Sequence, residues 1–129
     1  MLGDDWNERY AHIIELGKAM PPLPVEYQTE ENKIKGCQSS VWIISSLNDG
    51  RIQFKGDSDA LIVKGLVSLV LRVFNNRTTD EILQLQPSFM QRIGLDSHLS
   101  PTRNNGLAAM MKQMKFYALA YKTKMQSHE

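Results

Sequence analysis

The sequence predicts an α+β fold, a small antiparallel sheet of about three strands packed against helices. Two observations carry it: apolar runs of strand character flank Asn48-Asp49-Gly50 in the first half, and long apolar stretches of helical period fill the second. No internal repeat or low-complexity linker interrupts the order, so residues 1–129 read as a single domain. With 42% hydrophobic residues the chain has enough apolar material for a core without disulfides or metals.

Trp6, Tyr10, Ile13, Ile14 and Gly17 recur at helical spacing, and Asp4 and Asp5 precede them where anions favour a helix start. A helix over about residues 5–19 follows. Met20-Pro21-Pro22-Leu23-Pro24 ends it, because proline lacks the backbone donor and turns the preceding residue away from helical angles. Residues 20–33 are then expected to be an extended connector. Val41–Ser45 and Arg51–Lys55 form the hairpin, with Ile52 and Phe54 on one face and Arg51, Gln53 and Lys55 on the other, wet face. Residues 32–36 are the expected third strand, supported by Ile34 alone.

From Leu61 to Phe74 the chain is apolar nearly all round, with Lys64, Ser68 and Arg72 as one narrow polar stripe, the pattern of a central core helix. Asp57, Ser58 and Asp59 stand where side-chain oxygens cap such a helix. Thr78-Thr79-Asp80-Glu81 reads as a capping box, and Pro87 to Gly94 as another short helix. Ser100-Pro101 opens the last helix, whose apolar stripe is Leu107, Met110, Met111, Met114, Tyr117, Ala118, Tyr121 and Met125.

Fifteen basic against fourteen acidic residues leave no electrostatic footprint for nucleic acid. The start of the chain lacks the basic and apolar pattern of a secretory leader, and no apolar run reaches membrane-spanning length. The expected setting is the cytoplasm, with neither nucleic acid nor membrane as partner.

Cys37 is the sole cysteine. It cannot close an internal disulfide, so any sulfur exchange involves another molecule. Free cysteines are commonly core fillers, yet Gly36, Gln38 and Ser39 around this one suggest a turn or loop tip. Lys33 and Lys35 would favour the thiolate, while Asp57 and Asp59 would oppose it if near. The direction of its pKa shift is open. Of His12, His98 and His128, only His98 is placed to serve as a base, and no oxyanion or orienting pattern accompanies it. One cysteine is too few for a structural zinc or iron-sulfur site, and no glycine pattern cradles a phosphate. Neither metal nor cofactor is expected. Asp57 and Asp59 read as caps or as site residues; Arg103, in a first helical turn that prefers anions, reads as a surface arginine or as one with another task.

Gly36-Cys37-Gln38-Ser39, Val41-Trp42, Gly56-Asp57-Ser58-Asp59-Ala60, Ile62-Val63-Lys64-Gly65-Leu66 and His98-Leu99-Ser100-Pro101-Thr102-Arg103-Asn104-Asn105-Gly106-Leu107 together resemble the SufE family of sulfur acceptors. The likeness begins near Trp6-Asn7-Glu8-Arg9-Tyr10 and covers nearly the whole chain in order. It departs at a short N-terminus, which lacks a leading helical segment of longer relatives. The resemblance implies a fold similar to the IscU scaffolds. It implies that Cys37 takes sulfur from the persulfide of a pyridoxal-phosphate cysteine desulfurase, of SufS or CsdA type, stimulates that enzyme, and passes sulfur to an iron-sulfur scaffold of SufB type. On this reading the chain is an accessory protein rather than an enzyme. Gly36, Gln38, Ser39, Asp57, Asp59, His98 and Arg103 then become candidates for holding the cysteine loop or meeting the partner, with Gly36 as its hinge. A metal-binding scaffold of IscU type and a single-cysteine redox sensor are the other classes; the lone thiol argues against the first and the lack of a resolving cysteine against the second.

Overall fold

The computed structural model describes residues 6–36, 39–85 and 101–127, without the side chains of 6, 101–105 and 127. Helix α1 spans Trp6–Ala19, strand β1 Val41–Asn48, strand β2 Arg51–Ser58, helix α2 Leu61–Phe74, strand β3 Arg77–Thr78, helix α3 Thr79–Gln84 and helix α4 Pro101–Ser127. The sheet is antiparallel throughout, in the order β1-β2-β3.

The hairpin forms as its sequence demands. Asp49 and Gly50 take φ values of 53 and 75, the left-handed pair whose twist matches the flanking strands. Register runs from Asn48↔Arg51 to Val41↔Ser58, so both strands continue past the predicted ends. Ile43, Ile52 and Phe54 point into the core beneath α2 and α4.

The third strand is not the segment before Cys37. That stretch contributes one bridge, Lys33↔Trp42, whereas Arg77–Thr78 pairs with Ile52 and Arg51. The cause lies in Asn76, whose φ of 61 ends α2 and lets its N–H donate to the Ile52 carbonyl at 2.9 Å. A strand so short, wedged between helices, leaves no alternation to read.

Helix α2 is packed between α1 and the layer of β2 and α4. Its crossing with α1 is unusually close. A Cβ on Gly65 would stand 1.9 Å from the Ile13 carbonyl oxygen, and one on Gly17 would stand 2.8 Å from that of Leu61. The expected side-chain cap on α2 is absent, because Ala60 is the N-cap and makes no side-chain bond. Asp57 and Asp59 are engaged elsewhere.

Residues 20–33 are not extended throughout. Val25–Tyr27 forms a 3-10 turn. Before it, Leu23 is buried and the proline run lies along β2 and α2.

The capping box of α3 is as predicted: Glu81 N–H donates to Thr78 Oγ1 at 3.2 Å, and Thr78 N–H donates to Glu81 Oε1 at 3.1 Å. The Thr78 backbone and side-chain hydrogen bonds, with Arg51 and Arg77 nearby, hold the Glu81 carboxyl below its ordinary value.

On α4, Leu107, Met110, Met111, Met114 and Ala118 are buried. Tyr121 shares a 3.0 Å hydrogen bond with Ser45, and Lys122 meets Asp80. Met125, expected in the same stripe, is 39% exposed, since it lies one turn beyond these anchors. The short helix predicted from Pro87 to Gly94 lies outside the described residues. Among those residues no helix is long and apolar enough to cross a membrane.

Candidate functional site

The segment carrying Cys37 leaves a short ladder and returns to it. Ile34 N–H donates to the Val41 carbonyl at 2.8 Å, and Ile43 N–H to that of Asn32 at 3.0 Å. Ile34 and Val41 are both buried, so the two bonds are tied to the core. The chain therefore leaves the fold after Ile34 and rejoins it at Val41 through a closed neck.

The return limb is fastened a second time. Ser40 N–H donates to Asp59 Oδ1 at 3.0 Å, Asp59 N–H donates back to the Ser40 carbonyl at 3.2 Å, and the Ser58 hydroxyl donates to the same carbonyl at 2.8 Å. Both polar groups of the Ser40 backbone are thus satisfied by the end of β2. The outgoing limb is looser. Lys35 and Gly36 are exposed, and Gly36 takes a φ of 91, where any larger side chain is strained. An added Cβ there would rest 3.4 Å from Ala109 on α4, which marks the helix against which this limb lies.

Of the candidates, Gly36, Ser39 and Asp59 belong to this loop and its root. Asp57 does not. Its carboxylate is buried, accepts from Leu23 N–H at 2.9 Å and Ser58 N–H at 2.8 Å, and pairs with Lys64 at 3.2 Å. It straps the proline connector to β2 and α2. The end of the strand separates the two acids: Asp57 is held within β2, whereas Asp59 lies one residue past its end, where alternation no longer places it on the same face. Lys33, one of the cations expected near the thiol, pairs with Glu30 at 3.7 Å, while Lys35 makes no ion pair among the described residues.

Cys37, Gln38 and His98 lie outside the described residues, and Arg103 falls within the first turn of α4 with its side chain outside them. Sequence reasoning missed Ser40 and Ser58. Ser58 was visible within Gly56-Asp57-Ser58-Asp59, but a cap on α2 was the expected use for it. Among the described residues no group of three or more His, Cys, Asp or Glu is placed to hold a metal.

A three-stranded antiparallel sheet backed by helices, with a doubly fastened neck between Ile34 and Val41, defines an α+β protein. Residues 2–118 match the SufE family, described as an Fe-S metabolism associated domain, and the chain belongs to it. A SufE-like protein of Rhizobium meliloti is 41% identical over 117 residues, which cover 87% of this chain and 84% of that one. SufE-like proteins of Rhizobium etli and Synechocystis sp. are 43% and 39% identical, covering 79% and 74% of their own lengths. In fold, the chain superposes on the solution structure of a hypothetical protein from Thermus thermophilus with a TM-score of 0.76, at 20% identity, over 92% of this chain and 88% of that one. The family places the protein in Fe-S metabolism.

Proposed function

We propose that this chain, working as one domain over residues 1–129 in the cytoplasm, is a sulfur acceptor and carrier for a cysteine desulfurase. The observation that carries the reading is the neck of the cysteine loop, tied at Ile34 and Val41 and again at Ser40 by Asp59 and Ser58. Such a neck fixes where the segment bearing Cys37 leaves the fold and where it re-enters. That suits a group that must be presented to one partner and then to another.

The transfer balances without a metal or an external oxidant. The Cys37 thiolate attacks the outer sulfur of the desulfurase persulfide; a new sulfur-sulfur bond forms on Cys37, the old one breaks, and the desulfurase thiolate leaves. The same exchange, with Cys37 as the leaving thiolate, delivers sulfur to an acceptor thiol on an iron-sulfur scaffold. A second cysteine close by would displace the carried sulfur and close a disulfide, so the solitude of Cys37 protects the cargo. Withdrawal of the persulfide from the desulfurase frees that enzyme for another cycle, which accounts for stimulation. Gly36 serves as hinge and Asp59 as anchor of the fixed limb. Gln38, Ser39, His98 and Arg103 are the proposed contacts of the loop or partner, while Asp57 acts on the fold by strapping the connector to β2 and α2.

The test is to incubate the protein with a desulfurase and cysteine and measure its intact mass. One added sulfur atom on Cys37, absent from Cys37→Ser, is the expected result. Full stimulation and sulfur uptake by Cys37→Ser would sink the proposal.

A further inference from the structure

A second feature of the molecule is unrelated to the cysteine loop. The proline connector does not close fully on the body. Between Met20–Pro24, the outer edge of β2 and the polar stripe of α2 lies a groove of about 550 Å³, within the roughly 300–1,000 Å³ of ligand pockets. Its walls are apolar, from Pro21, Pro22, Leu23, Phe54 and Leu71.

The polar groups of the groove are unmatched in one direction. Ser68 retains 9% of its surface, and its hydroxyl has no hydrogen bond among the described residues. A buried hydroxyl left so costs free energy. The side-chain oxygen of Asn75 accepts from Phe54 N–H at 2.6 Å, which turns its amide NH₂, a donor, the other way. Arg72 and Lys55 stand at the rim, exposed and without an ion pair among the described residues, and among those residues no Asp or Glu lines the groove. Register adds a further donor. Val41 and Ile43 bond outward to Ile34 and Asn32, so their partners on β2, Ser58 and Gly56, also turn away from β1, and Gly56 N–H faces the groove edge.

We infer that this groove binds a small carboxylate on a short apolar body. The guanidinium of Arg72 matches the two carboxylate oxygens, Lys55 adds charge, Ser68 and Asn75 supply hydrogen bonds, and the prolines with Leu71 and Phe54 cover the apolar part. The site is separate from the sulfur chemistry and does not use Cys37.

The experiment is an amide NMR titration of the isotope-labelled full chain with 4-phenylbutyrate, its neutral amide 4-phenylbutanamide, and inorganic phosphate, at about 0.1 M salt. Saturable shifts at Gly56, Ser68 and Asn75 are expected with the carboxylate, and affinity for the neutral amide should be lower by about tenfold or more. Arg72→Gln should weaken the carboxylate by a similar factor, and Lys55→Gln by less; both sites are exposed, so the fold is kept. Cys37→Ser should titrate like the parent. Equal binding of acid and neutral amide, equal binding of phosphate, indifference to Arg72→Gln, or shifts that cluster elsewhere would each overturn the assignment.

Discussion

Two aspartates two residues apart do different work, and their substitutions should separate. Asp59 is exposed and holds Ser40 by one side-chain hydrogen bond, so Asp59→Ala is expected to cost about 1 kcal/mol, felt locally at the loop root. That energy corresponds to roughly a fivefold rise in the released loop, and alkylation of Cys37 by iodoacetamide should accelerate to match. Asp57→Ala removes one partner of a buried pair and orphans Leu23 N–H; a global loss of about 3 kcal/mol is expected, read from urea unfolding, with native alkylation little changed. Unaltered alkylation in Asp59→Ala would show that the fastening does not govern the thiol. In the sequence both acids looked like caps of α2. Their motif was legible, but their partners Leu23 and Ser40 lie 34 and 19 residues away, and no local pattern reports a bond of that span.

At the scale of elements, helix propensity and packing give opposite forecasts for Gly65. Alanine is favoured over glycine inside a helix by about 1 kcal/mol. Against this, the added methyl would meet the Ile13 carbonyl at 1.9 Å, a backbone atom that moves only if α1 moves. Packing wins, and Gly65→Ala should lower stability by at least about 3 kcal/mol in urea or thermal unfolding. A neutral or stabilising result would mean that α1 does not cross α2 so closely. The capping box of α3 is tested by pH. The Glu81 carboxyl is held below its ordinary value by Thr78 first, so its stabilisation is present above the unfolded value of about 4.3 and is lost as pH falls through the lower folded value. Glu81→Gln keeps the box geometry but removes the titration. The parent's advantage over it in urea midpoint should be constant near neutrality and close as pH falls through that acid window; a gap that stays constant as pH falls would contradict the assignment. The long elements were readable because each carries many periods of its pattern. β3 was not, because two residues carry none, and its pairing is set by the turn at Asn76 instead.

For the whole molecule, the cysteine loop and the core should respond to denaturant on separate scales. The neck is tied to Ile34, Val41 and Ile43, which join the cluster formed by α2, β2 and α4, whereas Lys35 and Gly36 beyond it are exposed. Release of the Asp59 fastening leaves the core in place, so an equilibrium set by it depends weakly on urea; global unfolding releases the whole core and depends steeply. The logarithm of the Cys37 labelling rate should therefore stay nearly flat with urea until the unfolding transition and then bend upward. Gly65→Ala should move that bend to lower urea without raising the flat part, while Asp59→Ala should raise the flat part with little change in the bend. A labelling rate that climbs steeply from the lowest urea concentrations would show that exposing Cys37 requires the core to open, and the thiol would then be part of the packing rather than of a loop fastened above it.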